Sequence, residues 1–423
     1  MWSELSKRDR AVNWHPNTQM QTAAPAIPIV RGAGAYLYDD AGNRYIDAIA
    51  SWWVTLHGHA HPYIAQKVSE QLHTLEQVIF AGFTHEPAIQ LSERLLQLLP
   101  ANQSKVFYSD NGSTAVEVAL KMCLQQAYNK GAPKTKILAF TNAYHGDTFG
   151  AMSVSGRSIW TAPFREHLFD VVFIDPPTAD NLPALKQVIA QRAAELAGFV
   201  YEPLIQGAAG MLMHRAADLD ELLTFCRAQA IMLIQDEVFV GFGRTGKLFA
   251  ADHLSVAPDI MCFSKGLTGG TMPMGITTCT EALYQSFLSE DRYKALFHGH
   301  SFTANPLACT AALASMDLLL QTGTQERIVA ITTQHLQFGR EIKAHPKVKE
   351  VRCTGTILAV EWHTQEDTSY FNQLAPALYR FFWDKGILIR PLGNILYLVP
   401  PYCITDEDLA YIYQTIAQAL DTL

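Results

Sequence analysis

The sequence lacks several features that would decide its class at once. It has no CxxC pair among its seven cysteines, no internal repeat, and no uncharged run long enough to cross a bilayer. Its net charge of -8 offers no attraction to nucleic acid or to an anionic membrane surface, and its first residues lack the apolar core of a secretory signal. We therefore expect a soluble cytoplasmic protein with reduced thiols that binds neither nucleic acid nor a membrane.

The central part of the sequence alternates short apolar runs with helical patterns. The runs are KVFYSD (105–110), KILAFT (136–141), VVFI (171–174), GFVYEPL (198–204), IMLIQD (231–236) and DIMCFS (259–264). Strands that are apolar on both faces and separated by helices are typical of a mostly parallel sheet covered on both sides. The sequence therefore predicts an α/β fold with a large sheet covered by helices.

The pattern changes after about residue 315. Shorter apolar runs follow, such as TILAVEW (356–362), GILIR (386–390) and NILYLVP (394–400), and the closing helix has Thr405 and Asp408 at capping-box spacing. We expect a large domain over residues 56–315 and a smaller α+β domain over residues 316–423. The N-terminal segment, residues 1–55, is expected to join the smaller domain.

Polar residues follow several of the predicted strands, where ligands bind in open α/β sheets. Gly112 and Ser113 begin a helix, which suits a phosphate, although an ordinary helix cap is the alternative. Tyr144 could stack on a planar ring or simply pack against the protein. Asp236 ends a strongly apolar strand, so it needs either a protein cation or a protonated ring nitrogen of a ligand as its partner.

Lys265 lies at the end of another apolar run and is followed by a glycine-rich segment. Burial there would lower the pKa of the amine and leave it neutral and nucleophilic, although most lysines at strand ends are solvated and inert. The strand ends together offer a phosphate cradle, a stacking ring, a carboxylate for a pyridinium nitrogen and an amine for a Schiff base. Pyridoxal 5′-phosphate (PLP) requires this combination.

These residues lie within stretches that resemble the class III (fold type I) PLP-dependent aminotransferases. DEVFVGFGRTGKLFA (236–250), CFSKGLTGG (262–270) and HGHSFTANPLAC (298–309) are similar to signature blocks of that class, and the likeness covers nearly the whole chain. The resemblance implies a large PLP-binding domain in which Lys265 is bound covalently to the cofactor and moves the substrate proton. It also implies that Asp236 pairs with the ring nitrogen and that Tyr144 covers the ring.

The resemblance further implies two groups of phosphate contacts. Gly112 and Ser113 would bind the phosphate of the cofactor in their own subunit. His300 and Ser301 would reach the phosphate of the neighbouring subunit's cofactor, because the site of this class lies at a dimer interface. The expected assembly is therefore a homodimer.

Other stretches narrow the resemblance within the class. WHP (14–16), ASWWVTLHGHAHP (50–62), AYHGDTFGAMSV (143–154), SKGLTGGTMPM (264–274) and LIRPLGNILYLVPPY (388–402) are similar to members that use S-adenosylmethionine to aminate 8-amino-7-oxononanoate in biotin synthesis. The resemblance places Trp52, Tyr144, Gly299 and Arg390 around the substrates. Arg390 is the expected partner of the acceptor's carboxylate, while Trp53 is expected to be a core aromatic.

Two further positions bear on the substrates. Tyr397 stands where relatives that use 2-oxoglutarate carry an arginine, so Tyr397 is expected beside the substrate and 2-oxoglutarate is a poor candidate acceptor. The alternative is that this strand is only structural and that the carboxylate is held elsewhere. Asn17 follows WHP, where an aromatic residue is usual, so the donor stays open, with lysine as one alternative. Glu202 and Arg244 could form an internal ion pair or line the substrate entrance.

Three other functions stay open at the level of the sequence. One is an ω-amino acid or diamine aminotransferase of the same class that uses pyruvate, and another is a racemase of the same fold. The third is a PLP-binding protein without catalytic activity. No metal site is expected, because the spacing of the histidines at positions 57, 59 and 61 is typical of a loop.

Overall fold

The fold is built from four β-sheets and the helices that pack on them, and the computed structural model describes residues 3–423. The strands are β1 (Ile29–Ala33), β2 (Tyr36–Asp39), β3 (Arg44–Asp47), β4 (Gln103–Ser109), β5 (Lys136–Phe140), β6 (Val171–Ile174), β7 (Leu196–Tyr201), β8 (Ile205–Gln206), β9 (Leu212–Met213), β10 (Met232–Asp236), β11 (Ile260–Phe263), β12 (Gly275–Thr280), β13 (Val348–Thr354), β14 (Ile357–Trp362), β15 (Ile387–Leu388) and β16 (Ile395–Leu398).

Helices connect most of these strands. The α-helices are α1 (Glu4–Val12), α2 (Ala50–Trp53), α3 (Pro62–Leu72), α4 (Glu86–Leu98), α5 (Gly112–Asn129), α6 (Phe149–Val154), α7 (Leu182–Arg192), α8 (Ala216–Ala228), α9 (Glu281–Gln285), α10 (Pro306–Leu319), α11 (Thr322–Ile342), α12 (Leu374–Trp383) and α13 (Asp406–Thr422). Short 3-10 helices cover Ala162–His167, Ala250–His253, Lys265–Thr268 and Arg292–Lys294. Among residues 3–423, no helix combines the length and the apolar character that crossing a membrane requires.

The largest sheet has seven strands in the order β4-β12-β11-β10-β7-β5-β6. Only β12 runs against its neighbours, so β4 points in the same direction as β11, β10, β7, β5 and β6. The α/β fold with a mostly parallel sheet is therefore confirmed. The carboxyl ends of six strands meet at one edge, which positions the polar residues that follow them.

Each face of this sheet has its own apolar core, as the sequence of its strands requires. Successive side chains of a strand point to opposite faces. Ile234 accordingly joins the core that contains α5, whereas Leu233 joins the core that contains α7 and α8. Helices therefore cover both faces, and the alternating register explains why the central strands are apolar throughout.

Two smaller sheets combine the two ends of the chain. β13, β14 and β16 form one sheet, and β1, β2, β3 and β15 form the other, in which β15 pairs in parallel with β3. Thr405 caps α13 by accepting from the Asp408 amide at 3.1 Å. The Asp408 carboxylate does not complete a capping box and instead accepts from the Tyr36 hydroxyl at 2.8 Å. The N-terminal segment thus packs with the C-terminal region, while the domain boundaries stay a prediction.

A buried ion pair stabilises the β13–β14 sheet. Glu361 accepts from Arg352 at 2.7 Å, and both side chains are buried. Burial raises the pKa of Glu361, but hydrogen bonds from Lys349, Thr368 and Arg352 outweigh burial and lower it to about 2. Because this value is below the ordinary carboxyl value of 4.5, the stabilisation is present above pH 4.5 and is lost as the pH falls towards 2.

We therefore expect Glu361→Gln to lower the free energy of unfolding by about 3 kcal/mol at pH 7, because Arg352 then keeps only the exposed Glu350 as a counter-charge and loses the buried one. The deficit relative to wild type should shrink as the pH falls from 4.5 towards 2. Urea unfolding at several pH values measures both effects. Glu350→Gln is the matched control, since Glu350 also pairs with Arg352 but is 55% exposed, and it should cost less than about 1 kcal/mol. Equal losses in the two variants would contradict the prediction.

Candidate active site

The predicted cofactor residues converge at the carboxyl edge of the large sheet. Asp236 is the last residue of β10, and Lys265 comes two residues after β11. Tyr144 follows β5, and Gly112 begins α5 directly after β4. Since these strands point the same way, residues that are far apart in the sequence meet at one place.

Lys265 is held against two aromatic rings. Its Nζ lies 4.8 Å from the centroid of Trp53 and 5.8 Å from that of Phe239. Burial lowers the pKa of the amine, opposed by the negative charges of Asp236 and Glu202. No carboxylate lies within ion-pair distance of Lys265 among residues 3–423. Burial therefore favours the neutral form of this amine more than water would, which is the form that a nucleophile or base requires.

Asp236 has a histidine as its protein partner. Its Oδ2 lies 2.7 Å from Nδ1 of the buried His145, and its Oδ1 accepts from the Val238 amide at 2.9 Å. Burial lowers the pKa of His145, but the hydrogen bond to Asp236 and its charge outweigh burial, so the pKa is raised. The pair fixes the orientation of the carboxylate at the end of β10. A sequence pattern could not show this, because the two residues are 91 positions apart.

The start of α5 forms a cradle with the properties that a phosphate requires. Asn111 and Thr114 make a capping box, so the first amides of the helix, at Gly112 and Ser113, stay available. A Cβ at Gly112 would lie 2.8 Å from a methyl group of Val238, which explains the glycine. The first helical turn therefore combines free amides, the positive end of the helix dipole and the Ser113 hydroxyl.

The loop that carries Tyr144 is anchored by Glu202, a contact that the sequence did not reveal. The buried Glu202 carboxylate accepts from the Tyr144 amide at 3.0 Å and from the Gly207 amide at 3.1 Å, and burial raises its pKa to about 7. The possible ion pair of Glu202 with Arg244 does not form. Arg244 is buried elsewhere and donates to the carbonyl of Pro400 at 2.6 Å, while both oxygens of Glu202 are occupied by amides.

Trp52 and Arg390 lie at the edge of the site. Trp52 is 42% exposed, and the Cζ of Arg390 lies 4.8 Å from the centroid of its ring. Within the described residues, no carboxylate lies within ion-pair distance of Arg390. Arg390 is thus a partly buried cation without a counter-charge, as a residue that binds an external carboxylate should be.

Tyr397 and Trp53 are both buried and bind each other. The Nε1 of Trp53 donates to the Tyr397 hydroxyl at 3.1 Å. Trp53 is therefore a core residue, as expected, but it also forms the wall against Lys265. Tyr397 thus supports the Trp53 ring that faces Lys265, and direct contact of Tyr397 with a substrate stays a prediction.

The turn that carries Trp52 and Trp53 is strained and tightly held. Ala50, Ser51 and Trp53 all have left-handed φ angles, between 48° and 68°, which are uncommon for residues other than glycine. The buried Asp47 holds the turn by accepting from the amide of Ser51 at 2.7 Å. Such strain persists only where neighbouring contacts impose it, and it concentrates at functional sites.

Gly299, His300 and Ser301 lie in the loop before α10. The His300 amide donates to Thr303 at 3.1 Å, the buried Nε2 of His300 has no partner among residues 3–423, and Ser301 is exposed. The reach of this loop to a neighbouring subunit's phosphate stays a prediction.

The comparisons with known proteins agree on one family. A family model described as "Aminotransferase class-III" matches residues 18–420. An adenosylmethionine-8-amino-7-oxononanoate aminotransferase from Synechococcus elongatus is 45% identical, over 97% of this chain and 98% of the relative.

Two solved structures are similar over nearly the whole chain. The crystal structure of adenosylmethionine-8-amino-7-oxononanoate aminotransferase from Methanocaldococcus jannaschii has a TM-score of 0.95 and 34% identity, covering 99% of this chain and 98% of that one. An omega transaminase from Pseudomonas jessenii in complex with PMP has a TM-score of 0.93 and 27% identity, with the same coverage.

Proposed function

Because the chain belongs to the class III aminotransferase family, we propose that it transfers the amino group of S-adenosylmethionine to 8-amino-7-oxononanoate, giving 7,8-diaminononanoate for biotin synthesis. The enzyme is a PLP-dependent aminotransferase. The observation that carries the choice of acceptor is Arg390, which lies over Trp52 at the edge of the site and has no carboxylate within ion-pair distance among residues 3–423. The similarity to relatives that bear this enzyme's name supports the same choice.

The residues of the site fit PLP. Gly112 and Ser113 would bind its phosphate, and Asp236, oriented by His145, would meet its ring nitrogen. Tyr144, on the loop that Glu202 anchors, would cover the ring. When bound, PLP supplies an electron sink for the pair that is left when a proton leaves the substrate carbon.

The protein's own contribution is the handling of protons and charge. The Nζ of Lys265 takes the proton from the donor's carbon and returns a proton to the acceptor in the second half of the reaction. Trp53 and Phe239 exclude water from this amine, which keeps its pKa low. Arg390 holds the acceptor's carboxylate, and both substrates use the same pocket in turn.

The assembly and location belong to the same proposal. We infer a homodimer in which His300 and Ser301 contribute to the neighbouring subunit's site. The buried Nε2 of His300 has no partner in the part of the chain that the structure describes, which supports a role for this loop beyond its own subunit. We also infer a cytoplasmic location, which agrees with seven unpaired cysteines.

The direct test uses the purified holoenzyme and follows the cofactor's absorbance. S-adenosylmethionine should convert the cofactor to its amine form, and 8-amino-7-oxononanoate should restore the aldehyde form with formation of 7,8-diaminononanoate, detected by mass spectrometry. Ornithine, alanine and lysine are the competing donors, and pyruvate is the competing acceptor. Conversion by alanine and recovery by pyruvate alone would favour an ω-amino acid aminotransferase and refute the proposal.

Asn17 is the position at which donor preference should change. It lies in the exposed segment between α1 and β1, with a left-handed φ of 50° that asparagine tolerates well. A tyrosine there could stack on adenine, so Asn17→Tyr should lower the KM for S-adenosylmethionine about 2- to 10-fold. Steady-state kinetics with each substrate measure the effect, and Asn17→Gly, which suits the φ angle but has no ring, is the control. Equal donor kinetics in wild type and Asn17→Tyr would contradict the prediction.

A further inference from the structure

The loop over residues 363–373 leaves β14 and ends at α12, and the sheet beneath it fixes its conformation. Thr368 donates to the buried Glu361 at 2.6 Å. At the next contact, Gly393 approaches so closely that a Cβ there would lie 1.7 Å from the carbonyl oxygen of Ser369. These two contacts fix the backbone just before Tyr370 and Phe371.

Tyr370 contacts the arginine that we assign to the acceptor's carboxylate. Its hydroxyl lies 3.4 Å from Nη2 of Arg390, and the ring of Trp52 lies against the same guanidinium group. Neither the phenol nor the indole neutralises the guanidinium. Because the hydrogen bond is long, it orients Arg390 without competing with a carboxylate, which forms shorter and stronger bonds.

Three aromatic residues, Trp160, Tyr370 and Phe371, form a cluster that we call the aromatic clasp. The ring of Trp160 meets Tyr370 edge-to-face at 4.9 Å and stacks on Phe371 at 5.6 Å. Trp160 precedes the 3-10 helix Ala162–His167, which leads into the large sheet, whereas Tyr370 and Phe371 come from the loop after the small sheet. The clasp therefore joins two parts of the chain directly beside Arg390.

We propose that Tyr370 is a positioning residue for the acceptor and that the aromatic clasp makes the site selective for a carboxylate at the far end of an apolar chain. Lys265 lies over Trp53 and Arg390 over the adjacent Trp52, so the reacting carbon and the carboxylate are held at separate places. A short 2-oxo acid carries both groups together and gains nothing from Tyr370. This inference rests on the proposed function, which supplies an acceptor of that shape.

The test separates the two halves of the reaction in the holoenzyme. Tyr370→Phe, which keeps the ring contacts of the clasp, should raise the KM for 8-amino-7-oxononanoate about 3- to 10-fold and leave kcat and the donor half-reaction within about twofold of wild type. Trp160→Ala should raise the same KM with the hydroxyl intact. Tyr411→Phe is the matched control, because it also removes a hydrogen-bonded hydroxyl, which donates to the backbone carbonyl of Lys385. This variant should leave the KM for 8-amino-7-oxononanoate unchanged.

A second readout makes the inference independent of amino transfer. Binding of heptanoate to the holoenzyme is measured by calorimetry, with heptanol as the uncharged control. Weaker heptanoate binding in Tyr370→Phe would support the inference even if wild type failed to aminate 8-amino-7-oxononanoate, which would refute only the proposed function. The inference is overturned if wild type does not bind heptanoate, if Tyr370→Phe changes neither readout, or if both half-reactions and the melting temperature fall together.

Discussion

Lys265→Ala is expected to lower the rate of amino transfer by more than about 10³-fold, since it removes both the nucleophile and the base. The amine lies against Trp53 and Phe239 with its pKa lowered by burial, and no other lysine is placed at this edge of the sheet by the contacts described above. Single-turnover absorbance with S-adenosylmethionine measures the loss. Borohydride reduction followed by mass spectrometry should find PLP attached to Lys265 in wild type.

The control for this prediction is Lys343→Ala. Lys343 is an exposed lysine at the C-terminal cap of α11, so its removal should leave the rate unchanged. Lys265→Ala should still bind PLP without a covalent bond, because the phosphate cradle and Asp236 remain. A cofactor attached to a different lysine, or a variant with near wild-type rate, would refute the assignment of Lys265.

Asp236→Asn is expected to lower kcat by about 10²- to 10³-fold, the size of a lost preorganised electrostatic contact. Asparagine keeps the shape but removes the charge that should stabilise a protonated ring nitrogen. The same change should lower the pKa of His145, because burial would no longer be outweighed by the hydrogen bond and charge of Asp236. The kcat and an NMR titration of His145 measure the two effects.

Asp175→Asn is the matched control for Asp236→Asn. Asp175 is an exposed carboxylate that follows β6 at the same edge of the large sheet and accepts from Thr141 at 2.7 Å. Asp175→Asn should change neither kcat nor the titration of His145. A kcat for Asp236→Asn within threefold of wild type would show that the charge at position 236 is not used in catalysis.

The strands of the large sheet were predictable because parallel strands are apolar on both faces, and each predicted run from 105 to 264 overlaps one of them. β12 (Gly275–Thr280) was not predicted, since its threonines give no continuous apolar run. β15 has only two residues, and its partner β3 lies far upstream, so no local pattern indicates the pairing. Hydrophobic periodicity reveals burial, whereas pairing across hundreds of residues depends on the assembled fold.

The meeting of the predicted site residues was predictable to the same extent, whereas their roles stay a prediction. Lys265, Tyr144 and Gly112 follow strands and Asp236 ends one, and the parallel direction of those strands brings them to one edge of the sheet. The partners of these residues were not predictable. Glu202 lies in an apolar run, and nothing in its neighbours indicates that it accepts from the Tyr144 amide. The geometry of acceptors and donors is fixed by the fold and leaves no periodic trace in the sequence.

The bond between Trp53 and Tyr397 joins residues 344 positions apart and lies directly behind the reactive amine. Forming this contact requires closure of the intervening chain, which costs entropy, and it requires that both residues have been synthesised. During synthesis, the strained turn around Trp53 has to wait until β16 leaves the ribosome. The nascent chain therefore cannot fix the Trp53 ring against Lys265 before Tyr397 has been synthesised. Activity is expected only once β16 has been added.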